Sequence, residues 1–124
     1  MSLHRILAFS FLAAAQLATH GVCFGQRSAN IYGVGGVTCG EYIEHRKQNS
    51  KAMDYSYVSW MNGYASGYNQ FSPSPQVASL PPPPTILAYL DKYCREKPLN
   101  PVKWAADDLL IELGARLVTP GQAK

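Results

Sequence analysis

The residues that could carry a reaction are few. His45 follows Glu41 by one helical turn, which sets an imidazole and a carboxylate on one helix face, the pairing that orients a general base. Local spacing brings no nucleophile beside them, and such i, i+4 pairs are common on solvated helix faces. Asp107, Asp108 and Glu112 form a second group, with Asp108 and Glu112 one turn apart. Paired carboxylates are what glycoside hydrolysis uses. Lys103 stands four residues before Asp107, however, so a solvated, charge-balanced helix face accounts for the cluster. The sequence has no P-loop, no Gly-x-Ser-x-Gly elbow and no dinucleotide fingerprint. Gly33-Val34-Gly35-Gly36 has neither a strand before it nor a phosphate-binding lysine after it. A non-enzymatic protein with no cofactor is expected, and a small exported enzyme using His45 is the weakest alternative.

The three cysteines divide by position. Met1-Ser2-Leu3-His4-Arg5 is a short basic start, and Ile6 to Leu17 is apolar except for Ser10 and Gln16. That is the pattern of a secretory signal over residues 1–25, well short of the roughly 20 apolar residues a spanning helix requires. Ala13-Ala14-Ala15 allows an early cut. Cys23-Phe24-Gly25 puts small residues at the two recognition positions, and a cut after Gly25 is preferred. Lipidation of Cys23 is the other reading, although His20-Gly21-Val22 lacks the usual approach to a lipidated cysteine.

Cleavage after Gly25 removes Cys23 and leaves Cys39 and Cys94, an even pair in an oxidising compartment, for which one bridge is the default. Closing a loop of about 55 residues is worth about 4 kcal/mol in the chain-entropy account. With His45 then the sole histidine, too few soft ligands remain for zinc, and no metal site is expected.

The elements that would position these residues are helices. Residues 26–37 read as a flexible leader. Thr38-Cys39-Gly40-Glu41 has the form of a capping box opening a helix of about ten residues. Its Cys39, Tyr42, Ile43 and Arg46 share one face. Ser50 caps a second helix from Lys51 to about Gln70, with Met53, Tyr57, Trp60, Met61, Tyr64 and Tyr68 as its apolar stripe. On its other side run Tyr55, Ser59, Asn62, Ser66 and Asn69. Gly63 and Gly67 in the helix interior suggest that another backbone packs closely there.

Residues 72–84, ending in four prolines, read as a non-helical connection and stiff polyproline spacer. Thr85 is expected to cap a third helix with Ile86, Leu90, Tyr93 and Cys94 on one face. Asn100 is expected to cap a fourth, with Pro101 at its first position, a stripe of Val102, Ala105, Ala106, Leu109, Leu110 and Leu113, and Gly114 as terminator. Residues 115–124 form a tail. No window alternates with period two. The fold class is therefore all-α: a small four-helix domain over residues 38–114, with Cys39 and Cys94 joining the first and third helices.

Composition narrows the partners. At 124 residues, 47% apolar and 15% charged, the chain has room for one folded domain. Eleven basic against eight acidic residues, scattered along the chain, do not make a nucleic-acid surface. Eight tyrosines suit both a small core and a protein interface. Of those on the second helix, Tyr55 lies on the polar stripe and is the surface candidate. Tyr55, Ser59, Asn62, Ser66 and Asn69 are the expected partner-binding residues.

The order of parts, with Thr38-Cys39 opening a helix, Trp60-Met61-Asn62-Gly63-Tyr64-Ala65-Ser66-Gly67-Tyr68-Asn69 on the second, and Tyr93-Cys94 followed by Lys97-Pro98-Leu99, resembles the HdeA-like family of small periplasmic helical proteins. It is also similar to the Rap/Tai immunity proteins of type VI secretion. The resemblance covers about residues 38–113 and implies that Cys39 and Cys94 are the family disulfide. It implies either an acid-stress chaperone acting on client proteins, with a homodimer among the expectations, or an immunity protein that caps a toxin. Neither family supplies catalytic residues. The chain departs from the acid chaperones in its few acidic residues and its proline insertion.

Overall fold

The computed structural model describes residues 30–72 and 76–117. The expected signal over 1–25, with Cys23, lies outside the described residues, as do 26–29 of the leader and 118–124 of the tail. Within the described residues the chain forms four α-helices and no strand: α1 (Cys39–Lys47), α2 (Lys51–Phe71), α3 (Pro83–Glu96) and α4 (Val102–Glu112). None is long and apolar enough to cross a membrane.

The capping box at α1 forms as its residues dictate. The Thr38 hydroxyl accepts the Glu41 N–H at 3.2 Å, and the Glu41 carboxylate accepts the Thr38 N–H at 3.0 Å. Two further orphan donors of this helix start are met from across the fold: the N–H groups of Cys39 and Gly40 donate to the carbonyls of Asn100 and Pro98, at 2.7 and 2.9 Å. Ser50 caps α2 by accepting the Met53 N–H.

Two expected caps are corrected. Pro82 occupies the N-cap of α3, so the helix starts inside the proline run; Pro83 and Pro84 lack only N–H groups that a first turn leaves unpaired anyway. Pro101 is the N-cap of α4, because Asn100 turns its amide to the Tyr93 hydroxyl instead.

The apolar stripes meet in one core. Tyr42, Tyr57, Met61, Ile86, Leu90, Val102 and Leu110 are fully buried, and each such side chain contributes about 1.5–3 kcal/mol through burial. Cys39 and Cys94, both inaccessible, form the disulfide between α1 and α3, with Cα atoms 4.7 Å apart across 55 residues of sequence.

The leader and tail are corrected over their described parts. Gly33–Gly36 forms a 3-10 turn, with Val34 and Val37 against the core. A side chain at buried Gly35 would strike the Trp60 indole, with a Cβ only 1.8 Å from its nearest atom, which is why glycine stands there. The Trp60 indole N–H donates to the Tyr32 carbonyl at 3.0 Å. After α4, Gly114 takes the left-handed conformation expected of a terminator, with φ +98°, and Ala115 is buried beyond it. Gly63 and Gly67 have no neighbour within 4 Å of a built Cβ, so the expected close backbone is absent among the described residues.

Candidate functional site

The long α2 helix presents the expected partner face as two parts. Tyr55, at 74% exposure, together with Ser59, Asn62 and Ser66, lies open on the surface. The side chains of Tyr55, Ser59 and Asn62 have no hydrogen-bond partner among the described residues, while the Ser66 hydroxyl donates to the Asn62 carbonyl within the helix. Asn69 departs from this face in role. Its Nδ2 donates to the Val77 carbonyl and its Oδ1 accepts the Val77 N–H, both at 2.9 Å, pinning the start of the connection to α2. A groove runs beside this stripe, with Asn62, Ala65 and Ser66 on one wall and Ala78, Ser79 and Leu80 on the other.

Glu41 and His45 are not joined by a hydrogen bond. Glu41 is committed to the capping box, and the two Thr38 groups that bond it hold its carboxyl below the ordinary value. His45 Nδ1 lies 2.7 Å from the Tyr57 hydroxyl. Tyr57 is buried edge-on to Tyr42, and burial first, with the Glu41 charge second, pushes its phenol up to about 12. The pair therefore braces α1 against α2.

The carboxylates of α4 are also redistributed. Asp107 is corrected from a solvated position to a buried one, at 2% exposure; it accepts from the Tyr64 hydroxyl and from Lys103 Nζ, both at 2.5 Å. Burial, reinforced by this carboxylate, raises the Tyr64 phenol. Glu112 accepts from the Tyr89 hydroxyl at 3.0 Å, and Asp108 lies 3.9 Å from Lys97, whose ammonium sits over the Tyr93 ring. Among the described residues no three His, Cys, Asp or Glu side chains are gathered closely enough to hold a metal ion.

One network has no sign in local spacing. Asp91 on α3 accepts from the Tyr42 hydroxyl at 2.7 Å and from Arg46 Nε at 3.0 Å, while Arg46 also pairs with Asp54. The guanidinium is pushed up, chiefly by Asp91, and the Tyr42 phenol is pushed up by burial and then by the same carboxylate. Arg46 thus links α1, α2 and α3. Only its position on the α1 face with Cys39 and Tyr42 hinted that it turns inward.

Chemically, these arrangements tie helices together, and the α2 face carries polar side chains, those of Tyr55, Ser59 and Asn62, that take no part in the ties. A scan against protein-family models and searches of curated proteins and of solved structures each find no match to this chain.

Proposed function

We propose that this is a non-enzymatic, exported domain that binds protein through the exposed face of α2, with protection of client proteins under acid stress as the specific reading. The observation that carries protein binding is the stripe of Tyr55, Ser59 and Asn62, whose polar groups are unpaired within the described fold while its helix is anchored on its other side. Tyrosine beside small polar residues suits an interface because it offers apolar area and a hydroxyl at little entropic cost.

The acid reading draws on the resemblance to HdeA-like proteins and on where the carboxylates stand. Asp54, Asp91, Asp107 and Glu112 each tie one helix to another or brace its neighbour through Arg46, Tyr64 or Tyr89. Loss of these ties would loosen the bundle and expose apolar surface to clients. Light scattering from an aggregating client at low pH tests this: equimolar chain should suppress the signal, and an unchanged signal would count against chaperone action.

An immunity protein is the second reading, favoured by the ties that hold α2 in the bundle, Arg46 to Asp54, His45 to Tyr57 and Asp107 to Tyr64, and so keep its exposed face in one shape. It predicts a single strong partner in a pull-down from periplasm, where the chaperone reading predicts many weak ones.

A further inference from the structure

Asn69 shows how a carboxamide on α2 handles a passing backbone: it offers one donor and one acceptor to the two backbone groups of Val77. Asn62 stands seven residues earlier, on the same helix face, with its carboxamide unpaired. Opposite it, across a groove of about 330 Å³, run Ala78, Ser79 and Leu80. Nothing among the described residues pairs with the backbone N–H and C=O groups of these three. The segment is held at both ends, by Asn69 at Val77 and by the Pro81–Pro82 entry into α3. Its hydrogen-bonding edge is therefore preorganised, which lowers the ordering cost of binding.

We propose that this groove takes an extended peptide segment of a partner protein, which adds as a strand to the backbone of Ala78–Leu80 and is clamped from the α2 side by Asn62. This is strand addition, in which main-chain bonds supply affinity and the walls select side chains. The walls are small, Ala65 and Ser66 on α2 and Ala78 and Ser79 opposite, so the segment carries small or β-branched side chains where it faces them. The proposal rests on the protein-binding reading and specifies its partner.

The test uses a blocked octapeptide of alternating valine and serine, and the same peptide N-methylated at alternate amides, titrated into the oxidised full chain and followed by amide correlation spectra. The plain peptide should shift Asn62, Ser66, Ala78, Ser79 and Leu80 saturably. Methylation, which removes donors and keeps the side chains, should weaken binding about tenfold or more, as should Ser79→Pro, which deletes one edge N–H. Ser66→Phe, filling the groove from α2 without touching the connection, should do the same. Equal affinity of the two peptides, or shifts that avoid residues 78–80, would overturn the groove. If client protection at low pH survives that result, protein binding stands without the groove; if protection is absent too, both fail.

Discussion

Asn69 and Val77 are joined as two strands of a sheet would be, through both backbone groups of Val77, although one partner is a helix side chain. The pairing buries Val77 and brings the connection back onto α2. Asn69→Ala should therefore cost about 1–3 kcal/mol, the range for removing partners from buried or half-buried polar groups. Limited proteolysis should then cut near residues 76–80 sooner than in the parent, while the helical circular dichroism of the folded state is kept. Unchanged cleavage would show that the connection is held by something else.

Asp107 is the most buried charge described, and its two partners have no other hydrogen bond. Asp107→Ala should cost about 3 kcal/mol in denaturant unfolding, since it strands a half-buried ammonium and a half-buried phenol. Tyr64→Phe should cost about 1 kcal/mol, and the double variant less than the sum. Additive losses would deny the coupling.

The disulfide links α1 to α3 across 55 residues, and neither sulfur is accessible. Cys39→Ser with Cys94→Ser, or reduction under denaturing conditions followed by refolding in reductant, should lower stability by about 2–5 kcal/mol and Tm with it. A melting curve indifferent to reductant would remove the bridge from the account.

The pH dependence has a definite sign at each end. Folded Tyr57 keeps its proton up to about 12 against an ordinary 10.0, so the folded state binds more protons between these values and stability falls as pH rises through them. Tyr42, Tyr64 and Tyr89 shift in the same direction. Phenolate absorbance near about pH 11 should show these four still protonated in the folded chain and released by guanidinium; titration of all tyrosines together at the ordinary value would contradict this. On the acid side, Glu41 is held below its ordinary 4.5, so its contribution is present above that value and is lost as pH falls through the lower one. Glu41→Gln should flatten that part of the stability curve.

Much of this fold was legible in the sequence because helices announce themselves by local period. The stripes on α3 and α4 face the core as their spacing requires, and the capping box at Thr38 forms from four consecutive residues. On α2, Tyr57 and Met61 are buried while Met53, Trp60, Tyr64 and Tyr68 are only partly so, and Val58 and Ala65 are buried in addition. What was not legible depends on partners distant in sequence. Asp107 reads as solvent-facing beside Lys103 until Tyr64, 43 positions earlier, is brought to it. Asn100 reads as a cap until Tyr93 claims its amide and Cys39 its carbonyl. Asn69 belongs to the polar stripe by spacing, yet the returning connection turns it inward. In the candidate site, the stripe from Tyr55 to Ser66 followed from periodicity, whereas the groove beside it needed the path of the proline-rich connection.

The central claim is that partners dock on the exposed face of α2. Tyr55→Glu combined with Ser59→Arg alters only surface side chains that make no hydrogen bond within the described fold, so Tm should stay within about 3 °C of the parent. Capture of periplasmic proteins by this double variant, measured beside the parent chain, is the most direct test. The account predicts that capture falls about tenfold or more, and capture equal to the parent's, with the fold intact, would contradict it.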